Sequence, residues 1–191
     1  AGPCGFSTIK ILQAMGSGMG MASGFGKLDK FGMTQPIMAV CGDSTFFHAV
    51  IPALVNAVHN RSDMILVVLD NSGTAMTGFQ PHPGSPAGAT GMKLPMLDIE
   101  KLCCAIDIRV EVSDPFDLQS TREILLDLLE DSGNPRVLIL KQPCALSPIK
   151  KGSKMYEMSI DVNLCLADRC GCNKLCTRVF KCPGLMWDTL K

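Results

Sequence analysis

The apolar residues of this chain fall into short uninterrupted runs separated by longer mixed segments. The run MILVVL contains no polar residue, which is typical of a parallel strand covered on both faces. Three other runs have the same strand-like length. Together the runs predict strands at residues 37–41, 64–69, 108–112 and 137–140, the first and last of them buried.

The segments between these runs predict helices. Residues 1–30, rich in Gly, Met and Ala, predict a loop that leads into a closely packed helix. Residues 51–60 predict a second helix with Pro52 in its first turn, where a missing N–H costs little. Residues 97–105 predict a third.

A fourth helix is predicted to begin at Asp114-Pro115, with Asp as the N-cap and Pro as the first helical residue. Gly133 is its predicted C-cap. Its buried stripe is expected to comprise Phe116, Ile124, Leu125 and Leu128.

This alternation of strands and helices predicts an α/β fold, a doubly wound parallel sheet with right-handed crossovers. Such sheets bind ligands at the carboxyl ends of their strands. We expect this domain to span residues 1–149, followed by a linker at 150–158 and a small cysteine-rich tail at 159–191.

Composition excludes several classes of protein. The 191 residues are 47% hydrophobic with zero net charge, as in a globular protein and unlike a basic nucleic-acid binder. No apolar run approaches the roughly 18 residues of a membrane span, and no signal peptide is evident. Because the chain opens with Ala in a Gly-rich loop, we expect a piece of a longer protein.

Polar residues follow two of the predicted strands at their carboxyl ends. Asp43 follows the first strand and Asn71 follows the second. One carboxylate and one amide oxygen suit Mg²⁺, which also takes water or phosphate oxygens. Residues of these types after a strand are also common turn formers or helix caps, and that alternative stays open.

A phosphate ligand would also need hydrogen-bond donors. Gly16, Gly18, Gly20 and Gly24 allow close approach of backbone N–H groups near a helix start. Neither a Walker A motif nor a regular G-x-G-x-x-G motif is present. The segment 71–96, with four prolines and five glycines, predicts a long loop of the kind that is often functional.

The spacing of these residues resembles a known cofactor motif. Gly42-Asp43-Ser44, 26 further residues and then Asn71 resemble the thiamine-diphosphate motif G-D-G-x(~26)-N, with Ser44 in place of the last Gly. The stretches GDSTFFHAVIPALVNAVHN, LDNSGTAMTGFQPHPG and KQPCAL are similar to the large (alpha) subunit of indolepyruvate:ferredoxin oxidoreductases, a branch of the 2-oxoacid:ferredoxin oxidoreductases. The similarity covers roughly residues 10–147.

The resemblance implies a thiamine-diphosphate-binding fold and assigns roles to individual residues. The side chains of Asp43 and Asn71 and the carbonyl of Gly73 would bind Mg²⁺. Gly42, Ser44 and Thr45 would lie near the diphosphate. Cys4 lies where related enzymes have a loop near the cofactor, so it is a further candidate contact. From the glycine-rich segment, Gly18 is a candidate for phosphate and Met19 for the thiazolium ring, with packing of a helix as the alternative for Met19.

The implied activity is oxidative decarboxylation of an aryl 2-oxoacid to an acyl-coenzyme A, with electrons passed to ferredoxin. The activating Glu of such enzymes lies on a pyrimidine-binding domain not evident in this chain, so a partner domain or a beta or gamma subunit is expected. A non-oxidative thiamine-diphosphate enzyme (a decarboxylase or synthase) and a non-catalytic electron-transfer subunit are the alternatives.

Half of the ten cysteines lie in the last 27 residues. They predict metal or iron–sulfur ligation in a reducing cytoplasm, and suit an organism living at low oxygen. The related enzymes carry a ferredoxin-like segment here, which favours a 4Fe-4S cluster held by four of the five, while zinc and free thiols remain alternatives. The five are Cys165, Cys170, Cys172, Cys176 and Cys182.

The three histidines have different expected roles. His82 lies in the long loop after the metal-binding candidates. It is a candidate for substrate contact or acid–base catalysis, and the alternative is a solvated loop histidine without a functional role. His48 could contact the cofactor or serve packing. His59 is expected at a helix C-terminus, where the helix dipole favours it.

Overall fold

A computed structural model describes residues 11, 13–147, 164 and 171. Nearly all of these residues belong to the first of two units of the chain, Ala1–Lys150, and the second unit is Lys151–Lys191. The predicted linker, Cys4 and the five tail cysteines lie outside the described residues, so these assignments remain predictions.

The described residues form one parallel sheet of four strands in the order β1-β2-β4-β3. The strands are β1 (Met38–Gly42), β2 (Ile65–Asp70), β3 (Arg109–Ser113) and β4 (Arg136–Lys141). Every strand boundary lies within one residue of its predicted position. The apolar runs therefore predict the strands and their parallel pairing correctly.

Helices fill the connections between the strands. They are α2 (Asp43–Thr45), α3 (Ile51–His59), α4 (Ile99–Cys104) and α5 (Leu118–Glu130), whereas α1 (Ser17–Phe25) precedes the first strand. A π-helical turn, Phe46–Val50, joins α2 to α3, and 3₁₀ turns occupy Leu28–Phe31 and Ala75–Thr77.

Helices cover both faces of the sheet, as a doubly wound fold requires. On one face, side chains from α1, α3, α4 and the π-helical turn pack against alternate residues of β1, β2 and β4. On the other face, α5 packs on β2 and β4 through Leu128, Ile124 and Leu125. The predicted α/β architecture is thus confirmed.

The first strand is less buried than predicted. Met38 is 43% and Val40 is 58% exposed, whereas Ala39 and Cys41 are buried. The reason is that α5 covers β2 and β4, and among the described residues no helix packs on that side of β1. β1 is therefore a half-covered edge strand.

The predicted start and end of the last helix are wrong. Its N-cap is Asp117, which accepts a hydrogen bond from the Ser120 N–H, and its C-cap is Asp131 rather than Gly133. Asp114 instead accepts the Phe116 N–H within a turn before the helix. As a result Phe116 is 74% exposed and does not join the buried stripe.

The helix that follows β1 begins earlier than predicted. Helical backbone starts at Asp43, and Pro52 lies in the first turn of α3, just after the π-helical turn. Pro52 cannot donate to the carbonyl four residues earlier, and its ring crowds that carbonyl. A widened turn at this point accommodates the missing bond and keeps the helical path continuous.

Within the part of the chain that is described, no helix has the length and apolar character to cross a bilayer.

Candidate functional site

Asp43 and Asn71 leave neighbouring strands at the same edge of the sheet. Gly42, the last residue of β1, pairs in register with Leu69 of β2. Asp43 is then the first residue of α2, and it is only 2% exposed. Asn71 directly follows β2. The carboxyl ends of two paired parallel strands thus deliver an acid and an amide to one place.

A single backbone amide joins the two side chains. The Gly73 N–H lies 3.1 Å from Asp43 Oδ2 and 3.2 Å from Asn71 Oδ1, and it donates to both oxygens. The carboxylate and amide oxygens therefore point towards one small region at the end of the sheet.

Asp43 retains capacity for one further ligand. Its Oδ1 accepts the Ser44 N–H at 2.7 Å, and its Oδ2 accepts from Gly73 and from His82 Nε2, each at 3.1 Å. A carboxylate offers about four acceptor positions, so about one remains. Two hard oxygens, one of them charged, fit a Mg²⁺ ion that completes its shell with water or phosphate.

The glycine-rich start of α1 packs against the same corner. Gly16 has a left-handed φ of 83°, and a Cβ on it would lie 2.6 Å from Ala49 Cβ and 3.7 Å from Thr45 Cγ2. Only glycine allows this approach. Thr45 itself is buried and Ser44 is partly buried.

The other candidates in α1 have different environments. A Cβ on Gly18 would meet nothing within 4 Å, so its backbone has open space beside it. Met19 is 2% exposed and packs in the apolar core, so its side chain does not face an open site. A ligand at this end of α1 would meet backbone rather than the Met19 thioether.

His82 reaches the site from the long loop. Its side chain is 5% exposed and its Nε2 contacts Asp43 Oδ2, although 39 residues separate the two. Its Nδ1 lies 3.0 Å from the Gly84 N–H. By contrast, His48 is exposed on the π-helical turn, and His59 ends α3 as expected.

Two residues around His82 were missed in the sequence. The Phe47 ring stacks on the imidazole with centroids 5.5 Å apart and planes inclined by 27°. A Cβ on Gly84 would lie 3.0 Å from His82 Cε1 and 3.1 Å from Phe47 Cε2. The available signals were the spacing of four residues from Asp43 to Phe47 on a helix and the tight Pro-His-Pro-Gly sequence.

Asp70 forms the outer part of this edge. Its Oδ1 accepts the Ser72 N–H, and its Oδ2 lies 3.8 Å from Lys141 Nζ. Burial raises the pKa of the Asp70 carboxyl, partly opposed by the Ser72 hydrogen bond. The segment after β4 also contacts the site, because the Cys144 N–H donates a hydrogen bond to the Asn71 carbonyl.

Two buried thiols in the core of the domain are not reactive groups. Cys41 and Cys103 are buried in the same core, and burial raises the pKa of each to about 12. Such thiols are protonated and inert at neutral pH. Within the described residues no three His, Cys, Asp or Glu side chains form a group that could hold a metal ion.

Comparison with known proteins identifies the family of this chain. Residues 2–139 match the family model of the thiamine pyrophosphate enzyme, C-terminal TPP binding domain. The indolepyruvate oxidoreductase subunit IorA of Methanothermobacter thermautotrophicus is 39% identical, over 95% of this chain and 28% of that subunit. The subunit of the same name from Thermococcus kodakarensis is 38% identical, over 95% of this chain and 29% of the subunit. The chain thus spans a little over a quarter of these relatives.

Among solved structures, benzoylformate decarboxylase from Polynucleobacter necessarius superposes with a TM-score of 0.48 at 19% sequence identity. The superposition covers 68% of this chain and 24% of that one. With the family match extending over most of the parallel sheet and over Asp43 and Asn71, the chain belongs to the thiamine pyrophosphate enzymes, as their C-terminal TPP-binding domain.

Proposed function

We propose that this domain binds Mg²⁺ and thiamine diphosphate in an enzyme that oxidatively decarboxylates an aryl 2-oxoacid of the indolepyruvate type. The product would be the acyl-coenzyme A, and the electrons would pass through an iron–sulfur cluster to ferredoxin. The observation that carries the proposal is the meeting of Asp43 and Asn71 over the Gly73 amide at the carboxyl edge of β1 and β2.

The residues of this edge have separable roles in the proposal. Asp43, Asn71 and the Gly73 carbonyl would hold Mg²⁺, whose remaining positions are free for diphosphate oxygens. Asp43 supplies the only full negative charge of this set, so the ion keeps a net positive charge for the phosphates. When bound, thiamine diphosphate supplies the electron sink for loss of CO₂ from a 2-oxoacid.

The diphosphate would lie beside Gly42, Ser44 and Thr45 and the start of α1. Support comes from the close packing of Gly16 against Ala49 and from the open space beside Gly18. A helix start also offers positive potential, which favours phosphate.

The reaction needs parts beyond the described residues. We propose that a partner pyrimidine-binding domain or subunit provides the activating Glu, and that other subunits of the oxidoreductase complete the path to ferredoxin. The name of the IorA relatives, which calls each a subunit of an indolepyruvate oxidoreductase, supports such an assembly. Coenzyme A would take the acyl group.

The cysteine tail provides the test of the oxidoreductase assignment. Four of Cys165, Cys170, Cys172, Cys176 and Cys182 would hold a 4Fe-4S cluster. We expect the assembled enzyme, purified without oxygen, to contain iron and sulfide and to show a broad visible absorption band that bleaches when indolepyruvate and coenzyme A are added. Metal analysis and absorption spectroscopy measure this directly.

Three other results would change the assignment. Zinc without iron would remove the electron-transfer role. Release of CO₂ and an aldehyde without bleaching would indicate a non-oxidative decarboxylase. An iron–sulfur protein that binds no thiamine diphosphate would be a non-catalytic electron-transfer subunit.

A further inference from the structure

We infer that His82 is a positioning residue that orients the Asp43 carboxylate for the metal through an Nε2–H···Oδ2 hydrogen bond. This role is distinct from acid–base catalysis on the substrate. The inference rests on the proposed Mg²⁺ and thiamine-diphosphate site, and it assigns His82 a role inside that site.

The hydrogen bonds of the imidazole define its tautomer. The Gly84 backbone N–H is only a donor, so His82 Nδ1, 3.0 Å away, must accept. The ring proton therefore lies on Nε2, which donates to Asp43 Oδ2 at 3.1 Å. Both ring nitrogens are used in these contacts, and a side chain that is 5% exposed has little surface left for a substrate.

Packing fixes the plane of the ring. Phe47 stacks on one side of the imidazole. On the Gly84 side, even one methyl group would approach His82 Cε1 to 3.0 Å and Nδ1 to 3.2 Å. The ring is thus confined by an aromatic face and by a glycine whose lack of a side chain leaves just enough space.

The loop around His82 is closed by its own hydrogen bonds. The His82 N–H donates to Ser85 Oγ at 3.0 Å, and the Ser85 N–H donates to the His82 carbonyl at 2.8 Å. Pro81 and Pro83 on either side restrict the backbone further. The imidazole therefore has a defined direction before any ligand arrives.

The consequence falls on Asp43. Its carboxylate is held by Ser44 on one oxygen and by Gly73 and His82 on the other, which fixes its rotation. A metal ligand that is already oriented loses less freedom on binding, and partners of this kind change metal affinity by roughly 10–100-fold.

Paired substitutions in the assembled full-length enzyme separate the hydrogen bond from the packing. His82→Phe keeps an aromatic ring against Phe47 and removes both nitrogens. His82→Gln keeps an N–H donor at similar reach and removes the ring. We expect the Mg²⁺ concentration for half-maximal thiamine-diphosphate binding to rise about 10-fold or more in His82→Phe and about threefold or less in His82→Gln.

Gly84→Ala tests the same contact without altering His82. The added methyl group should displace the imidazole, so we expect the Mg²⁺ concentration for half-maximal thiamine-diphosphate binding to rise several-fold. Fluorescence quenching on titration with Mg²⁺ at fixed thiamine diphosphate measures all three variants, and circular dichroism checks their folding.

The inference is overturned if His82→Phe binds Mg²⁺ and thiamine diphosphate like the unsubstituted enzyme. If its turnover nevertheless falls when both are saturating, His82 acts on the substrate instead. Should the unsubstituted enzyme itself bind no thiamine diphosphate with Mg²⁺, the proposed function fails together with this role. The first result leaves the proposed function intact, so the two failures are distinguishable.

Discussion

A carboxylate that is almost fully buried is stable only if donors replace the water it has lost. Asp43 meets this condition with three hydrogen bonds, from Ser44, Gly73 and His82. That Asp43 and Asn71 both lie at carboxyl ends of strands could be predicted, whereas their meeting also required the two strands to be neighbours, as β1 and β2 are. The His82 contact could not, because a loop closed by prolines and glycines carries no periodic pattern.

The buried cysteines permit a test at single residues. Cys41 and Cys103 have their pKa raised to about 12 by burial, so at pH 8 only about one thiol in ten thousand would be ionised. We expect neither to react with iodoacetamide in the native enzyme at pH 8, whereas both react in urea. Peptide mass spectrometry reads each site separately.

The neighbouring Cys104 is exposed in this domain and provides the control for reagent access.

Because folding raises the pKa values of Cys41 and Cys103 above those of the unfolded chain, the folded state binds more protons between about pH 9 and 12. The contribution of the two buried thiols to the free energy of unfolding is therefore complete below pH 9 and is lost as the pH rises towards 12. Rapid native labelling of Cys41 or Cys103 would contradict the described packing.

At the scale of elements, apolar runs predicted the strands well because a parallel strand covered on both faces has little choice of residue. Helix ends were predicted less well. Asp114 and Asp117 are both suitable N-caps, and the choice depends on contacts that the local sequence does not contain. Asp114 accepts from Gln142, 28 residues away, and this favours the cap at Asp117.

The contact between α1 and the helix after β1 predicts the effect of one methyl group. Gly16→Ala would place a side chain on a left-handed residue and within 2.6 Å of Ala49 Cβ. We expect a loss of about 2–4 kcal/mol in the free energy of unfolding, from backbone strain and overpacking together. Calorimetry should record a lower melting temperature.

The matched control is Gly20→Ala in the same helix. Gly20 has no neighbour within 4 Å of an added Cβ, so the substitution should stabilise α1 by roughly 0.5–1 kcal/mol through helix propensity. Equal effects of the two substitutions would mean that α1 does not pack on Ala49 as described.

At the scale of the whole molecule, the doubly wound architecture followed from the order of strands and helices. The exposure of Met38 and Val40 did not, because a run of apolar residues indicates burial without showing which element covers each face. The cysteine tail remains a prediction from composition and resemblance. The chain is similar to a little over a quarter of the longer IorA subunits.

We propose that the ends of β1 and β2 hold one Mg²⁺ and, through it, thiamine diphosphate. Asp43→Ala in the complete enzyme removes the only charged ligand of the set, while Asp29→Ala removes an exposed carboxylate from the 3₁₀ turn Leu28–Phe31. Isothermal titration with thiamine diphosphate in the presence of Mg²⁺ should show binding lost in the first variant and retained in the second. Unchanged affinity in a folded Asp43→Ala enzyme would mean that Asp43 does not hold the ion that binds the cofactor.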